Sequence, residues 1–218
     1  MDANFYRQRL YPLMDAVLDV LKHVGTGFYL TGGTAASRAY LNHRYSNDLD
    51  FFVNDDPAFG LWADRFIQAL RKPLEWSLDV VVREERFVRC SVVAGDVALR
   101  LEMVNDVPSH VGDLFNHPVL GRIDSAENIL ANKVTALMDR NEPKDLADVW
   151  AFCCRLGVPL DQAITDAQSK AAGIFPADLA RVLCSASHAD WELVQWIEAP
   201  SATEFLADLR ALGEKLIL

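Results

Sequence analysis

The sequence predicts an α/β (α+β) fold: a mixed-sheet core followed by a helical C-terminal half. Three observations carry this. Short segments that alternate in polarity and are rich in aromatic and β-branched residues, such as DLDFFV at residues 48–53, fall in the first half of the chain. From residue 124 onward apolar residues recur at helical spacing in one segment after another. No internal repeat or low-complexity linker interrupts the chain. The expected division is an α/β region at residues 1–123 and a helical region at 124–218 that completes the site.

Taken in order, residues 4–24 are expected to open the chain as a helix. Phe5, Leu10, Leu13, Val17, Val20 and Leu21 recur near a period of 3.6, and Gly25 and Gly27 mark the end. Residues 28–30 form a short apolar strand running into the turn at Gly32 and Gly33. A short helix over 35–41 and a strand over 48–53 follow, then a helix over 58–70. Strands are expected at 77–82, 86–93 and 97–104, with Gly95 and Asp96 turning between the last two. The helical half reads as helices at 125–140, 143–156, 160–172, 176–185, 191–197 and 203–216. Asp124 with Glu127 is expected as a capping box, Pro143 opens a first turn, and Gly157 then Pro159 close an end.

Composition narrows the classes. With 218 residues, 51% of them hydrophobic, the chain can bury a substantial core, which excludes a disordered protein. The N-terminal stretch lacks the basic flank and apolar run of a signal peptide, and no run reaches the roughly 20 apolar residues of a membrane span. A soluble, cytoplasmic protein is expected. Cys90, Cys153, Cys154 and Cys184 form no CxxC pair and no ligand spacing with histidine, so they are expected to be buried thiols and not a zinc site. The formal net charge of −10 repels nucleic acid and membrane on average, so a polyanion must be met by a local basic patch.

The chemistry concentrates in TGGTAASRAYLNHRYSNDLDFFV, residues 31–53. Side chains alternate along a strand, so Asp48 and Asp50 share one face while Leu49 and Phe51 share the other. Two carboxylates on one face repel unless a cation joins them, and Mg²⁺ is a hard ion that takes one or two carboxylates plus phosphate oxygens. Gly32 and Gly33 let the backbone approach a phosphate, the following helix offers N–H groups, and Thr34 adds a hydroxyl. Thirteen residues separate Thr34 from Asp48, enough for a short helix that returns the chain beside the glycine turn. A GG pair alone is usually a turn and a DxD alone a solvated strand edge. Their order and separation suit metal-dependent nucleotidyl transfer.

These residues resemble the signature of the AbiEii/AbiGii toxin family of nucleotidyltransferases: GGTAL, a helix, then RxSxDxDF. Gly32, Gly33, Thr34, Arg44, Ser46, Asp48 and Asp50 stand at the matching places. A second element, ENILANKVTALMDRNEPKDLADVW, is similar to the family's later helix with lysine and arginine followed by RDxxDL. It supplies Lys133, Arg140, Asp145 and Asp148, with Lys144 in place of the usual arginine. The resemblance spans about residues 28–156 and implies a core like that of polymerase β.

The resemblance further implies an enzyme that moves an NMP from an NTP to an acceptor, either RNA such as a tRNA end or protein, as the toxin of a toxin–antitoxin pair. Asp48, Asp50, Lys133 and Asp148 would be catalytic. Gly32, Gly33, Thr34, Arg44, Ser46 and Lys133 would hold nucleotide. Asp48, Asp50 and a third carboxylate would hold one or two Mg²⁺ ions. Glu102 is preferred as that third carboxylate and Asp79 is the alternative. Arg38, His43 and Arg44, with Arg83, Arg86, Arg89 and Arg100 on the strands, are the candidates for an RNA-facing basic patch. Transfer to a small molecule such as an aminoglycoside is the alternative activity, and a non-catalytic relative that binds nucleotide or a partner is the alternative class. Trp150, Trp191 and Trp196 are expected in the core.

Overall fold

The computed structural model describes residues 3–217. The chain divides into two compact units. The first contains the described residues through Ala35, Ser46–Pro108 and Asp113–Asp124. The second contains Ala36–Tyr45, Ser109–Gly112 and the described residues from Ser125 on. The division thus differs from one cut near residue 124, because two early segments cluster with the late helices.

Among the described residues, the first unit carries a seven-stranded mixed sheet in the order β3-β4-β5-β2-β1-β7-β6. The strands are β1 (Tyr29–Thr31), β2 (Asp48–Asn54), β3 (Ser77–Arg83), β4 (Phe87–Ala94), β5 (Val97–Asp106), β6 (Phe115–His117) and β7 (Gly121–Ile123). Alternation sorts their side chains. Leu49, Phe51 and Val53 of β2, Leu99, Leu101 and Met103 of β5, and Val88, Cys90 and Val92 of β4 are all buried. The helices Tyr11–Leu21 and Phe59–Leu70 contribute Met14, Val17, Leu18, Ala63 and Phe66 to the same core. Phe66 meets Phe51 edge-on at 5.1 Å between ring centroids. Full burial of such a side chain contributes about 1.5–3 kcal/mol.

The second unit packs Ala126–Asp139, Pro143–Trp150, Leu160–Gln168, Pro176–Cys184, His188–Leu193 and Ala202–Glu214 as helices. Trp150 centres an aromatic cluster with Trp196 at 5.9 Å and Phe205 at 5.6 Å, and its indole N–H donates to Asp208. Trp150 is buried and Trp196 half-buried, so these rings serve packing.

Several local expectations change. The hairpin β6–β7 was not anticipated, because three-residue strands are too short to show alternation. The helix expected at 191–197 runs over His188–Leu193, set by a capping box of Ser187 with Asp190. The cap at the start of the Ala126–Asp139 helix is Ser125, whose hydroxyl accepts from the Asn128 N–H at 3.0 Å. Asp124 is used elsewhere: its buried carboxylate accepts the Thr31 hydroxyl at 2.5 Å. Only Cys90 is buried, contrary to the expectation of four buried thiols: Cys153 and Cys184 are half-buried and Cys154 is exposed. No helix among the described residues is long and apolar enough to cross a membrane.

The Thr31–Asp124 bond ties β1 to the end of β7, where Leu30 pairs with Ile123 and the Asp124 N–H donates to the Leu30 carbonyl. Thr31→Val preserves shape but removes a hydrogen bond to a buried carboxylate, and is expected to cost about 1–3 kcal/mol in urea unfolding.

Candidate active site

In the sheet unit, β2 lies between β1 and β5 and pairs in parallel with β5, setting Asp48 opposite Arg100 and Asp50 opposite Glu102. Paired residues share a face, so Asp48, Asp50 and Glu102 stand together on the side away from Leu49 and Phe51. The rows extend outward. Glu102 faces Arg89 on β4, while Arg100 faces Ser91, which in turn faces Asp79 on β3. Asp79 therefore stands three strand spacings from Asp48, roughly 14 Å. Register places Glu102, and not Asp79, beside the paired aspartates.

Gly32 follows β1 directly and begins a helical turn, Gly32–Ala35, at φ +67°. A Cβ there would strike the Asp50 carboxylate, meeting its carboxyl carbon at 2.9 Å. The position demands glycine on both counts. Thr31 is the register partner of Asp50, so the glycine turn and the aspartate are brought together by one strand pair.

Thr34 is buried and its hydroxyl donates to the Asp48 carbonyl at 2.5 Å, tying the turn to β2. Gly33 is buried in the same turn. Ser46 is tied from another direction: its main-chain N–H donates to the Tyr11 hydroxyl at 3.2 Å, while its own hydroxyl stands 3.5 Å from Asp48.

The carboxylates are already met by cations of the chain. Arg100 donates through Nη2 to Asp48 Oδ2, and its Nε lies 3.5 Å from Glu102 Oε1. Arg89 Nε donates to the same Glu102 oxygen at 2.9 Å. Burial works against the charge of Arg100, but the hydrogen bond and charge of Asp48, then Glu102 and Asp50, outweigh it and raise its pKa. Among the described residues no group of three or more His, Cys, Asp or Glu side chains is set around one metal position. Arg83 pairs with Asp64 and Arg86 with Asp55, so all four strand arginines expected to form a basic strip have carboxylate partners.

The helical unit holds a second charged group. Arg44 is bidentate to Asp148, with Nε to Oδ1 at 2.7 Å and Nη2 to Oδ2 at 2.6 Å. Lys133 Nζ lies 2.8 Å from both Asp148 and Asp145, and Arg140 Nε donates to Asp145 at 2.9 Å. Asp145 and Asp148 share a side of the Pro143–Trp150 helix, as their three-residue spacing requires. Both aspartates, Lys133 and Arg44 are buried, and Arg44 forms a β-bridge with Trp196. The guanidinium expected to face phosphate is instead committed to Asp148.

Burial alone would raise the Asp148 pKa, yet Arg44, Lys133 and the His43 hydrogen bond hold it well below the usual range. Burial likewise opposes the Lys133 charge, and Asp148 and Asp145 more than restore it, so Lys133 is a fixed cation. His43, fully buried, places Nε2 2.8 Å from Asp148, and its Nδ1 has no partner among the described residues. Burial lowers its pKa despite Asp148, so the ring is neutral with its proton on Nε2, facing the carboxylate. Sequence spacing gave no sign of this partnership, since His43 and Asp148 are 105 residues apart.

Two outcomes follow. Lys133→Met leaves two buried aspartates short of a cation and is expected to cost about 3–5 kcal/mol in chemical denaturation. His43 is harder to protonate folded than unfolded, so as pH falls below about 6.5 the unfolded state gains the proton and stability drops. The fall should be seen as pH drops from about 6.5 toward 5, above the range in which Asp148 protonates, with a slope no greater than the one-proton limit of about 1.4 kcal/mol per pH unit, and His43→Gln should remove it.

The model of the family described as nucleotidyl transferase AbiEii toxin, type IV TA system, matches residues 16–173. Among solved structures, the chain is similar to JHP933 from Helicobacter pylori at 21% identity, covering 96% of this chain and 90% of that one, with TM-score 0.65. It is also similar to MenT4, a nucleotidyltransferase toxin from Mycobacterium tuberculosis, at 17% identity, covering 98% and 86%, with TM-score 0.66. The antibiotic-resistance factor ANT(2″)-Ia is a more distant likeness, at 12% identity over 74% of this chain and 90% of that one, with TM-score 0.52. These likenesses are of fold. No protein of curated function matches in sequence. With about seven tenths of its length matched by the family model, the chain belongs to the AbiEii family of nucleotidyltransferase toxins.

Proposed function

We propose that the chain moves an NMP from an NTP to an acceptor, using a divalent ion held by Asp48, Asp50 and Glu102. The observation that carries this reading is the shared face of those three carboxylates, two adjacent on β2 and one directly opposite on β5. The donor set is all carboxylate oxygen, which suits Mg²⁺, and the guanidinium lying on it is evidence that the face accepts a cation. When bound, such an ion supplies Lewis-acid activation of the attacking oxygen and neutralises phosphoryl charge.

The chain's own residues do the rest. Gly32 brings main chain directly against the Asp50 carboxylate, and the helical turn it opens with Gly33 offers N–H groups for a phosphate. Thr34 and Ser46 hold the loop positions around Asp48. Within the helical unit, Asp145 and Asp148 keep Lys133 charged, and Asp148 positions Lys133 and Arg44.

For the acceptor, RNA or protein fits a toxin working among cytoplasmic NTPs, with a cognate antitoxin as partner. A small cationic acceptor is the second reading. It is favoured by the net charge of −10 and by the carboxylate partners of the strand arginines. Purified protein with Mg²⁺ and each labelled NTP is expected to label an acceptor in cell extract, and size fractionation assigns it to RNA, protein or metabolite. Asp48→Asn or chelation should reduce labelling by roughly 10²-fold or more. Extracts in which no fraction gains label above the Asp48→Asn blank would refute the proposal.

A further inference from the structure

The carboxylate face is crossed by an arginine that the motif does not include. Arg100 stands on β5 opposite Asp48, two residues before Glu102, so alternation puts it on the same face as all three carboxylates. Its guanidinium spans Asp48 and Glu102, two of the three groups proposed to hold the ion. Its side chain is nonetheless 50% exposed, against 16% for Asp48 and 20% for Glu102. It is thus anchored at its head while much of it meets solvent, and it can swing off without disturbing a packed core. Arg89 differs, for it touches Glu102 and rests over the Phe87 ring at 5.2 Å.

A guanidinium and a divalent ion cannot both take the same oxygens, because each needs their lone pairs and the two cations repel. We infer that Arg100 is a built-in competitor for the divalent ion: it sets the ion affinity of the carboxylate face and must leave Asp48 for the ion to load. The inference rests on the carboxylate site proposed above. Arg100 pairs with Asp48 and Glu102, so the face is not left with three unpaired like charges, and weak loading is the consequence. A nucleotide triphosphate that draws Arg100 outward would favour loading, making ion and nucleotide binding mutually supportive.

The test is direct binding of Mn²⁺, followed by the electron paramagnetic resonance of the free ion, at fixed salt and without substrate. Arg100→Gln should bind Mn²⁺ roughly tenfold more tightly than the unaltered protein. Arg100→Lys, which keeps the charge but loses the fork, should fall between them and serves if the glutamine variant does not fold. Arg89→Gln should change affinity less than Arg100→Gln. Asp50→Asn combined with Arg100→Gln should lose the gain. If the unaltered protein binds Mn²⁺ and neither Arg100 variant binds it more tightly, competition is refuted while the carboxylate site stands. If neither the unaltered protein nor the Arg100 variants bind Mn²⁺ at millimolar concentration, the carboxylate site is refuted and the competition with it.

Discussion

Parallel pairing of β2 with β5 is the constraint on which the chemistry of the sheet unit depends. It extends over seven residue pairs, from Asp48 with Arg100 to Asn54 with Asp106. A slip by one residue would turn Leu49 and Phe51 out of the core, which their burial forbids. A slip by two would keep the alternation but pair Asp50 with a different residue of β5. The apolar inner face therefore enforces the charged outer one. Glu102 is brought beside Asp50 by the packing of Leu101 and Met103 on the other side of the same strand.

The helical unit solves a related problem by different means. Its carboxylates are buried instead of half-open, and each is satisfied by more than one cation or donor. Asp148 meets Arg44, Lys133 and His43, and Asp145 meets Lys133 and Arg140. Such groups are costly to desolvate and costly to break singly, so they hold the segment around Arg44 and the Ala126–Asp139 and Pro143–Trp150 helices as one arrangement. Activity lost on substituting these residues thus has a structural component that must be measured beside it.

Much of this was legible in the chain. The period-two pattern of 48–53 and 97–104 located β2 and β5, and Glu102 was singled out as the third carboxylate before register was known. Gly32 was recognisable as a turn, and its close approach turned out to be to the Asp50 carboxylate. What was not legible depended on contacts distant in sequence. Thr31 with Asp124, and His43 and Arg44 with Asp148, leave no local trace, because partners about a hundred residues apart impose no spacing. The strand arginines could be read as a basic patch only while their carboxylate neighbours were out of view.

The pairing of β1 with β7 has a consequence for how the chain is made. β1 gains β2 as a neighbour within about twenty residues, but its other edge waits for Ile123, 93 residues after Leu30. During synthesis at about 5–20 residues per second, that edge stays unpaired for several seconds even as β2 to β5 become available. An open strand edge invites pairing with another chain. The nascent protein therefore passes through an interval in which most of its sheet has been made but its β1 edge is uncovered, and the small β6–β7 hairpin is the piece that ends it.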